Sequence, residues 1–209
     1  MPAPERPTVY LAGPTVFERD PDAIFAAMKA ICARVGVRGV SPLDNQMGLE
    51  GSEPGHALAT RIVQADIALM RRLDAGLFCL DGFRRGPEMD PGTAFEIGYM
   101  HALGKPLAGW TRDPRPYPDR VRGFFASTFG LPLDDANAID GGTGARSGAL
   151  RDPDGMLVHS EGCLQNAMTQ VGIELSGGAV HADPDWTVAF TRAAAGLAAR
   201  ISVVSRKPG

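Results

Sequence analysis

Two acidic residues six positions apart are the first candidates for chemistry. In Asp90-Pro91-Gly92-Thr93-Ala94-Phe95-Glu96-Ile97-Gly98-Tyr99-Met100, Asp90 is suited to cap a helix and Pro91 to its first position. Gly104 can close that helix, with Lys105-Pro106 leading out. Glu96 then lies about two turns inside. Its helical neighbours at three and four residues are Gly92, Thr93, Tyr99 and Met100, and none is basic. A carboxylate without a local ion-pair partner has two readings. Either it faces water near a helix N-terminus, which favours anions, or it takes part in catalysis. Just upstream, Leu77-Phe78-Cys79-Leu80 reads as a short buried strand starting at Asp74 and followed by the loop Asp81 to Met89. Strand, polar loop and a helix opening on a carboxylate is how open α/β sheets build ligand sites, in the crevice beyond the carboxyl ends of the strands.

The polar groups expected at strand ends and helix mouths are Tyr10, Asp44, Asn45, Gln46, Asp74, Asp90 and Glu96. Carboxylates without a metal suit chemistry at an anomeric carbon, where one attacks and another handles the proton of the leaving group. Glu96 is the nucleophile candidate, with Tyr99 and Tyr10 available to orient it. Asp74 or Asp90 would supply or relay the proton, which requires one of them to hold a raised pKa.

The elements that must position these groups follow a regular alternation. Thr8-Val9-Tyr10-Leu11-Ala12 is an apolar run ended by Gly13-Pro14, as a central parallel strand would be. A helix follows from Asp20, with Ile24, Met28, Ile31 and Val35 at helical spacing. Val37 to Val40 can form a second strand running into Ser41-Pro42-Leu43-Asp44-Asn45-Gln46, whose polar groups suit either a turn or the edge of a heterocycle. Leu58, Ile62, Ala65 and Leu69 mark a second helix, with Arg71-Arg72 in its last turn read as a solvated face. Pro106 to Trp110 reads as a further strand. The alternation predicts an α/β fold with a doubly wound parallel sheet of about five strands and helices on both faces. Residues 112–160 break the rhythm with Pro, Gly, Asp and Arg around one apolar island, Val121 to Phe129, and are expected to be a long insert or lid. Gly142 to Gly148 is read as linker rather than phosphate loop, since no strand precedes it and no Lys-Ser/Thr ends it. A short helix near Cys163 to Gln170 carries Asn166, and a last helix opens at Asp183-Pro184.

Bulk properties bound the answer. The 209 residues fit one domain, 44% apolar and 22% charged, with a net charge of −3 that gives no reason to expect a nucleic-acid polymer as partner. Cys32, Cys79 and Cys163 form no CxxC pair and favour a reducing, cytoplasmic setting. The four histidines are scattered, so neither metal nor cofactor is expected. No signal core and no membrane span are seen.

Several separated motifs resemble the nucleoside 2-deoxyribosyltransferase family. Val9-Tyr10-Leu11-Ala12-Gly13 is similar to its first strand and active-site tyrosine, and Pro42-Leu43-Asp44-Asn45-Gln46 to its base-binding segment. Asp74 resembles an aspartate at the start of its third strand, and Asp90 to Tyr99 the motif of its nucleophilic glutamate. Gln165-Asn166-Ala167-Met168 is similar to the segment whose asparagine reaches a neighbouring subunit's site. The resemblance implies a flavodoxin-like fold and a double displacement. Glu96 would attack C1′ of a 2′-deoxynucleoside and expel the base, and a second base would then take the sugar. Asp74 and Asp90 would contact the leaving base, with Gln46, Asn45 and Gly13 in the substrate site and Tyr10 holding Glu96. Asn166 would bind the 5′-hydroxyl across a subunit interface, so the expected partners are deoxynucleosides, free nucleobases and further copies of the chain. The nearest rival is a hydrolase of deoxynucleoside 5′-monophosphates. Relatives of that kind carry a phosphate-binding serine where this chain has Asp90, whose charge would repel a phosphate; Arg84 and Arg85 in the adjacent loop argue the other way, though solvated loop charges are commoner than phosphate clamps. A rival of another class is a non-catalytic nucleoside sensor on the same fold.

Overall fold

Alternate residues of the first strand face opposite ways, and both ways are buried. Val9 and Leu11 join one apolar cluster while Tyr10 and Ala12 join another, because successive side chains point to opposite faces of a sheet. A strand buried on both faces needs helices on both. The computed structural model, which describes residues 5–45, 54–131, 133, 150–158 and 161–204, supplies them. Five strands, β1 (Thr8–Ala12), β2 (Arg38–Val40), β3 (Ala75–Cys79), β4 (Leu107–Thr111) and β5 (Val180–Ala182), form one sheet in the order β2-β1-β3-β4-β5. Every pairing is parallel, and this order is the flavodoxin-like one.

Helices α1 (Pro21–Arg34) and α6 (Trp186–Val204) cover one face, through Phe25, Met28, Phe190 and Leu197. Helices α2 (His56–Arg72), α3 (Pro91–Ala102) and α5 (Ala167–Leu175) cover the other, through Met70, Ile97, Met100 and Ile173. The expected start signals act as such: Asp20 caps α1 and Asp90 caps α3, each followed by proline. The final helix begins at Trp186, slightly later than Asp183-Pro184 suggests. Among the described residues no helix is long and apolar enough to cross a membrane.

Two elements go beyond what the sequence spelled out. The segment 112–160 is not structureless: Tyr117–Phe129 forms a helix, α4, ended by Gly130 in the left-handed conformation. Its Tyr117 and Val121 pack on Leu150 and Val158 in a small core of their own. Buried Arg120 donates from α4 to the carbonyl of Leu164 and to Thr111 Oγ1. The fifth strand, only three residues long, is too short to show periodicity, and its register on Gly109 to Thr111 supplies what the sequence hides. Gly142 to Gly148 lies outside the described residues.

Candidate active site

The site forms where β1 runs beneath α2 and α3. Tyr10 is fully buried in the middle of β1, and its side chain points to the face these helices cover. Its hydroxyl donates to Glu96 Oε1 at 2.5 Å. Glu96 is only partly buried, on the second turn of α3. Burial pushes its carboxyl up to about 8; the Tyr10 hydrogen bond works against that, and the charges of Asp66 and Asp90 add to it. Tyr10 is raised well above the ordinary phenol range by burial first and then by Glu96 and Asp66. The phenol therefore keeps its proton and acts as a donor to Glu96.

Asp66, on α2, is the residue the sequence reading missed. Burial raises its carboxyl to about 6, and its Oδ1 is buried with no hydrogen-bond partner among the described residues. A buried, unsatisfied carboxylate oxygen costs stability and asks for an explanation. The signal was present in the sequence. The helical neighbours of Asp66 are Ile62, Val63, Leu69 and Met70, so it has no local ion-pair partner, the same property that singled out Glu96.

Asp90 is buried at the mouth of α3. Its Oδ2 accepts from the Thr93 backbone N–H at 2.8 Å and from Thr93 Oγ1 at 2.9 Å. The cap thus holds one carboxylate oxygen, and the charge still reaches Glu96. Tyr10, Asp66, Asp90 and Glu96 form one group.

Asp74 does not join them. Its Oδ2 accepts from the Thr8 N–H and hydroxyl, both at 2.7 Å, and Lys105 is its charged neighbour. The reason is topological. Asp74 precedes β3, and in an all-parallel sheet every strand start lies on the edge opposite the ligand crevice. Asn45 is also committed elsewhere: its Nδ2 donates to the Ala65 carbonyl at 2.8 Å, and its Oδ1 accepts from Arg72 at 3.1 Å. It pins the end of β2 to α2 one residue from Asp66. Asp44 accepts from Lys29 at 2.6 Å and from the Ser41 N–H at 2.8 Å. Burial opposes them, but these bonds keep its carboxyl below the ordinary range. Arg71 and Arg72 are engaged rather than merely solvated, since Arg71 donates to the Tyr99 hydroxyl at 2.5 Å. Tyr99 therefore serves Arg71, and Tyr10 alone of the two tyrosines holds Glu96.

Gly13 closes β1 with φ 152, and a Cβ there would lie 2.5 Å from Cys79 Cβ. Only glycine lets the ends of β1 and β3 approach this closely. In the segments that follow those strands, Phe17 and Phe83 meet at 5.3 Å between ring centroids. Exposed Asn166 caps α5, its Oδ1 accepting from the Met168 N–H at 2.9 Å. Gln46 lies outside the described residues. Among the described residues no group of three or more His, Cys, Asp or Glu is arranged to hold a metal ion.

A pair titrating at about 6 and about 8 carries one proton near neutrality. Such a pair offers one charged carboxylate to attack and one protonated carboxyl to donate. Between those values the proton rests mainly on Glu96; the attacking form, with Glu96 ionised and Asp66 protonated, is the minor arrangement of the pair, and the Tyr10 hydrogen bond favours it.

The sequence matches the family model described as nucleoside 2-deoxyribosyltransferase over residues 9–168. The chain belongs to this family. An uncharacterized protein of Schizosaccharomyces pombe is 47% identical over 196 residues, covering 94% of this chain and 90% of its own. The 2-desoxiribosyltransferase from Leishmania mexicana superposes with a TM-score of 0.58 at 26% identity, over 90% of this chain and 97% of that one. A conserved protein from Enterococcus faecalis V583 shares the fold, with a TM-score of 0.54 at 17% identity over 90% and 98% of the two chains. The matched region of the family model contains Tyr10, Asp66, Asp90, Glu96 and Asn166.

Proposed function

We propose that the protein transfers the 2-deoxyribosyl group of a 2′-deoxynucleoside between nucleobases through a covalent glycosyl-glutamate. The observation that carries this reading is the 2.5 Å hydrogen bond from Tyr10 to Glu96 beside an unpaired Asp66 oxygen. Glu96 attacks C1′ from one side of the sugar ring, and the C1′–N bond breaks. The departing base takes a proton from Asp66, which replaces Asp74 in this role. Asp66 then accepts a proton from the incoming base as its nitrogen attacks C1′, and the ester bond to Glu96 breaks. Two inversions retain the configuration. Tyr10 holds the attacking oxygen throughout, and Asp90 holds the sugar with the carboxylate oxygen its cap leaves over. Phe17 and Phe83 offer apolar surface for a flat base.

One domain suffices for this chemistry, and the protein acts as a homo-oligomer. Support for assembly comes from large apolar side chains left in water: Phe95 is 54% exposed, Met168 85% and Leu175 75%. They lie on α3 and α5, which pack together, and exposed Asn166 sits among them. A soluble protein rarely leaves such a patch uncovered.

The test is base exchange. The protein is incubated with deoxyinosine or thymidine plus free adenine, and products are separated by chromatography. Deoxyadenosine is the expected product, with a mass adduct on Glu96 when the second base is withheld. Free base and deoxyribose without a new nucleoside would make the protein a hydrolase. Reversible binding without turnover would make it a sensor.

A further inference from the structure

Beyond the carboxyl ends of β3 and β4, lined in part by the loop 81–89, lies a cavity of about 480 Å³. Its volume is that of a small-molecule site. Four guanidinium groups line it, from Arg85, Arg112, Arg115 and Arg120, against two carboxylates, Asp81 and Asp113. The excess of two positive charges stands out in a chain whose net charge is −3.

Both carboxylates are committed to holding the arginines in place. Buried Asp81 accepts from Arg112 Nε at 2.6 Å, from the Arg112 N–H at 2.6 Å and from Thr111 Oγ1 at 2.9 Å. Asp113 accepts from Arg115 Nε at 2.9 Å and Nη2 at 2.7 Å, and pairs with Arg120 at 3.2 Å. The terminal amino groups of Arg112 and the Nη1 of Arg115 carry no partner among the described residues, and both side chains are about half exposed. Gly123 leaves room for that Nη1, since a Cβ there would lie 2.9 Å from it. Fixed guanidinium forks with donors to spare are suited to phosphate oxygens.

The fourth arginine is presented at a cost. Arg84 and Arg85 have φ values of 49° and 66°, and they are the non-glycine residues in the left-handed region among those described. Two consecutive side chains in that region are strained. The turn that enforces it is tight: a Cβ on Gly82 would lie 2.2 Å from the Gly86 carbonyl oxygen, and the Gly86 N–H donates to the Phe83 carbonyl at 2.9 Å. Arg84 lies over the Phe83 ring, whereas Arg85 lines the cavity and has neither a hydrogen bond nor an ion pair among the described residues. Partly buried Phe124 forms an apolar wall beside it.

We propose that this cavity is an anion site that takes the phosphate of a phosphomonoester, with Arg85, Arg112 and Arg115 as its donors. The phosphate has two sources: a 5′-phosphate on the sugar bound at the neighbouring site, or a separate phosphorylated compound. The proposal stands without the transferase reading, because its test uses inorganic phosphate alone.

Inorganic phosphate is titrated calorimetrically into protein prepared in phosphate-free buffer at constant ionic strength, for wild type and Arg85→Gly. Glycine relieves the left-handed strain, so the variant's melting temperature should equal or exceed that of wild type while its phosphate affinity falls at least about tenfold, the weight of one charge-assisted contact. Saturable one-site binding with that opposite movement of stability and affinity is the expected result. No saturable binding by wild type, or equal binding by a folded Arg85→Gly, overturns the proposal. A second arm compares deoxyinosine with its 5′-monophosphate. Tighter binding of the monophosphate in wild type but not in Arg85→Gly assigns the phosphate to the sugar. Equal binding of the two, with phosphate still bound, assigns it to a separate compound. Either result supports the site, and neither depends on turnover.

Discussion

Replacing Glu96 by glutamine should stabilise the protein, and more so as pH rises. The folded chain holds the Glu96 proton up to about 8, against an ordinary 4.5. In the unfolded chain the same carboxyl ionises at its ordinary value. Between these limits the unfolded state has lost a proton that the folded state keeps, so wild-type stability falls as pH rises by up to about 1.4 kcal/mol per pH unit. The contribution is fully present below 4.5 and gone above about 8. That gap amounts to at most about 5 kcal/mol, and solvent reaching a partly exposed side chain brings the expected value to about 2–4 kcal/mol. Glutamine avoids the loss because it does not ionise, and its carbonyl still accepts from Tyr10. Urea unfolding of wild type and Glu96→Gln at pH 4 and pH 8.5 reads this directly. The two curves should nearly coincide at the lower pH and separate at the higher, with base exchange abolished in the variant at both. A stability difference independent of pH would refute the claim that the folded protein withholds Glu96 from ionising. Exchange at a near wild-type rate would refute its role as nucleophile.

Other expectations follow from the same geometry. Asp66→Asn should lower kcat for exchange by about 10²–10⁴, the usual weight of a general acid, whereas Asp74→Asn should leave it within about twofold. Loss in the second variant and not the first would reverse the assignment. Wild-type kcat/KM should be bell-shaped with limbs near 6 and 8; Tyr10→Phe removes the hydrogen bond that lowers Glu96 and should move the upper limb to higher pH. Gly13→Ala should destabilise the fold by about 2–4 kcal/mol, read from the urea midpoint, because its Cβ meets Cys79 at a strained φ. The double variant Met168→Glu/Leu175→Glu, at exposed positions, should keep its circular dichroism but lower the mass seen by light scattering in solution.

The helix carrying Asp90 and Glu96 was legible because its signals are local: a capping carboxylate, a proline behind it, and a glycine past the end. Tyr10 was legible because a short apolar run stopped by Gly-Pro leaves little choice of element. Asp66 was not read because attention to an apolar stripe treats the polar positions between as solvent-facing. Its burial is decided by β1 and α3, which lie far away in sequence. Asp74 was misplaced for a simpler reason. A strand has two ends, and the rule that ligands gather at one of them excludes a residue that precedes the strand. Arg84 and Arg85 stood out in sequence as a phosphate clamp but read more simply as solvated loop charges, because Arg85, Arg112 and Arg115 gain their meaning from one another, across separate loops and a helix that the composition of residues 112–160 concealed.

The all-parallel sheet also governs when the chemistry can arise during synthesis. Among the described residues no two neighbouring strands are joined by a hairpin, and Tyr10 meets Glu96 across 86 positions of chain, so the pairing depends on slow, long-range closure. A nascent chain released as far as Ala102 already contains Tyr10, Asp66, Asp90 and Glu96. It still lacks β4, which flanks β3, and α6, which covers the far side of the sheet. Until those segments arrive, the carboxylates stay hydrated and titrate as in any peptide. Reactivity is therefore a late acquisition in the maturation of this protein, and a truncated product should carry every catalytic residue and no activity.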